Sequence, residues 1–185
     1  MTIHTTPARD TRIDVFRALA LITIFVNHVP GNPFEPLTSK NFGFSDAAEA
    51  FVLLSGISAA FAYGMKFGVG SQLATTLRIW RRAGVLYIAQ LGTTMATLAI
   101  FSFFALHFAA PDLLGKINIG PVIDDTAAAL VGIATFGHQL GYNNILSMYA
   151  LVLVLLPGFL LIGRFGLAPM VAASGALWLA AGIFR

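Results

Sequence analysis

Residues 14–28 read DVFRALALITIFVNH, and this stretch decides the fold class of the chain. It is an apolar run with an arginine near its start and a histidine at its end. A helix crosses the hydrocarbon core of a bilayer with about 20 mainly apolar residues, because it satisfies its own backbone amides there. The stretch therefore predicts a membrane-spanning helix that carries two ionisable side chains, Arg17 and His28.

The composition of the whole chain also indicates a membrane protein. Of its 185 residues, 57% are hydrophobic and 10% are charged, whereas a soluble domain has about 25% charged residues. We therefore expect an all-α, polytopic transmembrane bundle of five spans. The predicted spans are Ile13–Val29, Asp46–Met65, Ala83–Ala109, Ile145–Ile162 and Leu167–Phe184.

The basic residues between the spans predict the topology. Most of them fall on one side, which is typical of cytoplasmic loops, so the polar leader 1–12 and the N terminus are predicted to be cytoplasmic. Loop 110–144 then faces outward, and its acidic start at Asp124 predicts a short interfacial or re-entrant helix. Residues 1–185 form a single domain that stops directly after an apolar segment, and we expect it to be incomplete at its C terminus.

Charge and cysteine content exclude several classes of function. The net charge is +3, from eleven Lys and Arg against eight Asp and Glu residues, and the basic residues are spread between apolar segments. Membrane topology explains this pattern better than nucleic-acid binding does. The chain has no cysteine, which rules out disulfides and thiolate chemistry. We expect no metal site and no permanently bound cofactor.

Arg17 and His28 share one face of the first predicted helix. They are eleven residues apart, which is within about 20° of three helical turns and a rise of about 16 Å. Ionisable residues inside spans usually face a protein interior or a water-filled cavity. The alternatives are that Arg17 extends to the cytoplasmic lipid phosphates beside Asp14, and that His28 is an interfacial residue at a helix C-terminus.

The second predicted helix begins on the outer side with SDAAEAFVLLSG, residues 45–56. Asp46 and Glu49 have the spacing of a capping box, in which Asp46 is the N-cap. Because His28 ends the first helix on the same side, either carboxylate would also suit the orienting role in a base dyad. Both interpretations stay open at this point.

A cluster of arginines, LRIWRRAG at residues 77–84, precedes the third predicted span. Cytoplasmic anchoring explains Arg78, Arg81 and Arg82, with Trp80 in the interfacial belt. However, cations are disfavoured at a helix N-terminus. An anionic ligand rich in phosphate would relieve this conflict, because guanidinium groups bind phosphates bidentately.

Together these motifs resemble the OpgC-type proteins of the acyltransferase-3 superfamily, which succinylate osmoregulated periplasmic glucans. The matching features are Arg17 and His28 with ten residues between them, FVLLSG at residues 51–56, and Arg78-x-x-Arg81. HQLGYNNILSMYALVLVLLP, from residue 138, is similar to the loop into the fourth span of the family. Members of the superfamily have more spans than five, which agrees with an incomplete chain.

The resemblance implies a bacterial inner-membrane, multi-pass O-acyltransferase. Succinyl-CoA or another acyl-CoA would be the donor, with its phosphates near Arg78, Arg81 and Arg82 and its thioester arm passing Arg17. His28, oriented by Glu49 or Asp46, would be the general base on a glucose hydroxyl of the glucan acceptor. Direct transfer and an acyl-histidine intermediate both stay open, and so does a homo-oligomer.

A second hypothesis is a membrane transporter or export component for an anionic solute or a glucan. In that case Arg17 and His28 would line a permeation path. An inverted repeat or a pair of broken helices would favour this class, and neither is obvious in the sequence.

Overall fold

The computed structural model describes residues 11–29, 31–43, 46–141 and 143–183, which fall into two compact units, one up to Ala62 and the other from Tyr63. The described residues are all-α, as predicted. Their α-helices are α1 Thr11–His28, α2 Ala47–Val69, α3 Gln72–His107, α4 Gly120–Asp124, α5 Thr126–Ala134, α6 Ile145–Ile162 and α7 Leu167–Ile183. Short 3-10 helices cover Glu35–Leu37, Ser39–Asn41, Pro111–Gly115 and Gly163–Phe165.

Three segments of the described chain are long and apolar enough to cross a membrane, and they identify a membrane protein. They are Ala47–Val69, Gln72–His107 and Ile145–Phe165. The apolar helix α7 has 17 residues, and α1 carries Arg12, Asp14 and Arg17 within its 18 residues. The count of five spans and the cytoplasmic N terminus therefore stay predictions. Residues 1–10 of the predicted leader and Phe184 lie outside the described residues.

The ends of α1 and α2 in the first unit are fixed by polar side chains. The Asn32 amide donates hydrogen bonds of 2.7 Å to the carbonyl oxygens of Val26 and Val29 at the end of α1. Gly31, at φ 74°, supplies the left-handed residue that reverses the chain there. Asp46 precedes α2, and its Oδ1 accepts from Ala48 N at 2.7 Å and Glu49 N at 3.2 Å. This contact confirms Asp46 as the predicted N-cap.

Helix α3 starts eleven residues before the predicted span. Ser71 caps it by accepting a hydrogen bond from Ala74 N at 3.3 Å. With 36 residues, α3 is about 54 Å long, compared with about 30 Å for a bilayer core. The expectation that the three arginines crowd a helix N-terminus is therefore wrong, because Ser71 begins the helix and Arg78, Arg81 and Arg82 lie in its second and third turns.

The loop between α3 and α6 contains the predicted short helix. That helix, α5, begins at Thr126, and Asp125 caps it by accepting from Ala128 N at 3.0 Å. The Tyr87 hydroxyl on α3 donates to the Ala134 carbonyl at 3.0 Å, and the Tyr87 ring lies edge-on to Phe136 with centroids 5.3 Å apart. The end of α5 therefore packs against α3.

Helices α3 and α6 pack as an antiparallel pair, which forms the centre of the second unit. The Trp80 indole donates to the Val154 carbonyl at 3.2 Å, and Thr93 on the same helix contacts Asn143, just before α6. Ile79 and Leu153 are fully buried. Because the two helices run in opposite directions, the arginine-bearing turns of α3 lie beside the middle of α6.

Candidate functional site

Arg17 lies against the second helix of its unit. Its guanidinium carbon is 5.5 Å from the centre of the Phe51 ring, and Phe51 is 5% exposed. A cation over an aromatic face is stabilised by about 0.5–2 kcal/mol, with the larger values at desolvated sites. Phe51 is thus the aromatic partner of Arg17. From the sequence it was identified only as a residue of the FVLLSG motif.

A stripe of buried residues on α2 runs from this contact along the helix. Its members recur every four residues, which places them on one helix face. They are Ala47, Phe51, Ser55 and Ala59. The Ser55 hydroxyl is buried and has no hydrogen-bond partner among the described residues. A buried, unsatisfied hydroxyl is costly, so this position favours a bound polar group.

Asn27 is a half-buried polar residue of α1 that the sequence analysis did not identify. Its Oδ1 atom is buried without a hydrogen-bond partner among the described residues. Helical spacing places Asn27 about 60° from the buried Ile24 and about 80° from Arg17 around the axis of α1. The sequence does mark this residue, because Asn27 is a side-chain amide within an otherwise apolar run.

The structure gives the two carboxylates near the start of α2 different surroundings. Asp46 is engaged through Oδ1 in the helix cap described above, while its second oxygen lies outside the cap. Glu49 is exposed in the first turn of α2. His28 is half-buried and is the last residue of α1. The pairing of His28 with either carboxylate stays a prediction.

The connection between α2 and α3 forms an open cavity of about 550 Å³. It is lined by Lys66 near the end of α2, by the cap residue Ser71, and by Arg78. Two cations beside the N-terminal turn of a long helix make an environment suited to an anion. The sequence analysis had used Lys66 only to assign topology, and the turn that brings it to the same cavity as Arg78 was not predicted.

The three predicted arginines do not share one location. All three are exposed on α3; Arg78 lines this cavity, whereas Arg81 and Arg82 do not. Trp80 uses its indole to bond α6, and this contact fixes the rotation of the arginine-bearing turns relative to α6. Direct phosphate binding is therefore best supported for Arg78.

No metal site is visible in the described part of the chain. Across residues 11–29, 31–43, 46–141 and 143–183, no group of three or more His, Asp or Glu side chains is placed to hold an ion. The groups in this part of the chain that could take part in chemistry are the cations of the cavity, the buried polar atoms and His28.

Comparison with known proteins gives one match. A sequence model of the family described as OpgC protein matches residues 9–185, which is nearly the whole chain. Neither the curated proteins nor the solved structures contain a significant match. The family match confirms the resemblance that the motifs indicated.

Proposed function

This chain belongs to the OpgC protein family, and we propose that it acts as an inner-membrane O-acyltransferase that succinylates periplasmic glucans. The donor is succinyl-CoA and the acceptors are glucose hydroxyls. Family membership supports the reaction class. The observation that carries the proposal is the cavity that Lys66 and Arg78 line together, because a coenzyme A donor brings several phosphates that need cations.

Arg17 has a part that fits the donor arm. It is a cation of helix α1, in the first unit, and it lies over the Phe51 ring. Its guanidinium can donate hydrogen bonds to the carbonyl oxygens of the donor arm or to the succinyl carboxylate. We assign Arg17 to donor binding, in agreement with its place in the family motif. Arg81 and Arg82 are further cations on α3 and stay proposed donor contacts.

His28 is the general base of the proposed reaction. It takes the proton of the attacking glucose hydroxyl while that oxygen forms the ester bond to the succinyl carbon. The carbon–sulfur bond of the thioester then breaks, and the leaving thiolate takes the proton from the imidazolium. A carboxylate, Glu49 or Asp46, orients the ring and stabilises its charged form.

Mass spectrometry of periplasmic glucans tests the proposal. Cells that carry the full-length gene are compared with cells that carry its His28→Ala variant, and the amount of protein in the membrane fraction is measured for both. We expect succinyl substituents in the first case and unsubstituted glucans in the second, at equal protein. Exposed His107, at the end of α3, provides a His107→Ala control that should keep succinylation.

The transporter hypothesis has a distinct readout. In proteoliposomes it would give flux of an anionic solute without consumption of acyl-CoA. That result, or succinylated glucans from the His28→Ala variant, would contradict the catalytic assignment. Release of coenzyme A that depends on added glucan supports it.

A further inference from the structure

A cluster of uncharged polar side chains lies where the outer loop meets the middle of α3. The cluster consists of Gln90, Thr93 and Thr94 on α3 and of Gln139 and Asn143 on the loop. Gln90 is 3% exposed and Thr94 is 2% exposed. Burying amides and hydroxyls costs free energy unless each finds a partner, so the hydrogen bonds of this cluster indicate what it can bind.

Two backbone carbonyls fix the orientation of the glutamine amides. Gln90 Nε2 donates to the Asn143 carbonyl, and Gln139 Nε2 donates to the Phe136 carbonyl at 3.2 Å. Gln139 Oε1 then accepts from Gln90 Nε2 at 3.1 Å. Turning over the Gln90 amide would set its oxygen against two acceptors. Gln90 Oε1 is thereby left buried, with no donor among the described residues.

His138 precedes this part of the loop and presents a second acceptor. Its Nε2 lies 3.0 Å from the Asn118 carbonyl. A carbonyl only accepts, so Nε2 carries a proton in this contact, and the tautomer with that single ring proton offers the Nδ1 lone pair as an acceptor. The His138 amide donates to the Gly132 carbonyl at 3.0 Å, which holds the half-buried residue against α5.

The backbone around His138 is held in a costly conformation. Ile117, Asn118 and Phe136 have φ values of 48°, 62° and 64°, a region that β-branched and bulky residues rarely adopt. A hydrogen bond of 2.8 Å from Gly141 N to the Ile117 carbonyl ties the two ends of the loop together. Strain of this kind persists where the surrounding packing maintains it, and it is concentrated at functional sites.

We propose that this cluster is the acceptor subsite, in which His138 Nδ1 and Gln90 Oε1 accept hydrogen bonds from hydroxyl groups of a sugar unit. The proposal rests on the proposed acyltransferase function and names how its acceptor is recognised. Gln90 Oε1 is buried without a donor among the described residues, and the half-buried ring of His138 precedes Gln139 of the cluster in the chain. The cluster and His138 together offer amides, hydroxyls and an imidazole rather than a lysine or arginine. It therefore suits a neutral polyol, whereas the cavity at Lys66 and Arg78 suits phosphates.

The two subsites lie on the same helix at a suitable separation. Arg78 and Gln90 are twelve residues apart on α3, which is about 18 Å along its axis. An extended donor arm can bridge a distance of this order between its phosphates and its thioester. The two residues are also turned about 120° from each other around the helix axis, so a donor arm that joins the two subsites follows the length of α3 and crosses part of its surface.

The test uses the full-length enzyme in membranes and three variants. His138→Gln keeps a donor toward Asn118 and removes Nδ1, and Gln90→Met removes the buried amide. His107→Gln is the matched control, since exposed His107 contacts only the Phe103 residue of its own helix among the hydrogen bonds and ring contacts described. KM for purified glucan, KM for succinyl-CoA and donor hydrolysis without acceptor are measured for each.

We expect KM for glucan to rise about tenfold in His138→Gln and Gln90→Met, as for one lost hydrogen bond. KM for succinyl-CoA and donor hydrolysis should not change, and His107→Gln should match the wild type. An unchanged KM for glucan in His138→Gln overturns the inference, because an ordered water rather than the acceptor would then fill the cluster. An equal rise of both KM values also overturns it, because the variant would then have disturbed the fold rather than one subsite. If Gln90→Met does not insert, His138→Gln alone decides. A wild-type enzyme without succinyl transfer would instead overturn the proposed function.

Discussion

The guanidinium of Arg17 lies over the ring of Phe51, with 5.5 Å between the guanidinium carbon and the ring centre. This contact joins the arginine of α1 to the aromatic residue that opens the FVLLSG motif of α2. Two motif residues that stand 34 positions apart in the sequence therefore form one structural element.

Replacing Phe51 with leucine should weaken donor binding. The variant keeps an apolar side chain but loses the ring face, which removes about 0.5–2 kcal/mol of cation–π stabilisation. We expect kcat/KM for succinyl-CoA to fall about 2- to 30-fold, while Phe51→Tyr stays near the wild type. Equal kcat/KM values for the leucine and tyrosine variants would contradict a role for the ring.

Asp46 offers a way to separate helix capping from catalysis. Asp46→Asn keeps a side-chain oxygen for the amides of Ala48 and Glu49, whereas Asp46→Ala removes it at a cost of about 0.5–2 kcal/mol. We expect thermal stability in detergent to fall only in the alanine variant. If the Asp46 carboxylate orients His28, glucan succinylation falls in both variants. Full activity of a stable Asp46→Asn variant would assign that part to Glu49.

The cavity between α2 and α3 should bind the donor through charge. Lys66→Gln and Arg78→Gln each remove one cation from its lining, and we expect KM for succinyl-CoA to rise about 5- to 20-fold in each. A well-formed charge-assisted hydrogen bond is worth about 1.5–3 kcal/mol, or about 10- to 150-fold, and solvent in the open cavity lowers that value. Added salt should affect these variants less than the wild type. Arg164→Gln, an exposed cation after α6, is the control, and an equal effect there would point to general electrostatics.

The Trp80 hydrogen bond should stabilise the pairing of α3 with α6. Trp80→Phe keeps an aromatic ring and removes the donor to the Val154 carbonyl, so we expect a loss of about 0.5–1.5 kcal/mol. Thermal unfolding in detergent measures it against Trp178→Phe in α7, where the tryptophan is 76% exposed. The same loss in both variants would mean that the hydrogen bond contributes nothing specific.

Glu35 should titrate at unusually low pH. The hydrogen bond and the charge of Lys40 lower the pKa of its carboxyl below the ordinary value of 4.5. A lowered pKa in the folded state means that the ion pair favours folding at neutral pH and that this contribution is lost as the pH falls through the folded pKa. Carbon NMR of the Glu35 carboxyl should show a midpoint that rises in Lys40→Gln. An identical midpoint in the two proteins would exclude the pairing in solution.

The helices could be predicted where an uncharged run has clear ends. The fourth predicted span coincides with α6, because polar Asn144 and Gly163 flank residues that carry no charge. The start of α3 was missed because its first turns contain arginines and read as a cytoplasmic linker. The buried series Thr75, Ile79 and Ala83, at intervals of four residues, was the available signal of a continuous helix.

The sites could be predicted only in part, because their geometry depends on tertiary contacts. Sequence spacing placed Arg17 and His28 on one helix face, but the approach of Arg17 to Phe51 follows from the packing of two helices. The polar series on α3 did not reveal that Gln90 meets the loop, since that contact joins residues 53 positions apart. The pairing of His28 with a carboxylate stays a prediction.

The unbroken course of α3 also restricts how this chain can evolve. Arg78 and Gln90 belong to one continuous helix, so inserting a single residue between them would turn one group about 100° away from the other and lengthen their separation by about 1.5 Å. Substitutions between these positions leave that spacing intact, whereas insertions and deletions do not. We therefore expect natural variation in this segment to change side chains and to preserve its length.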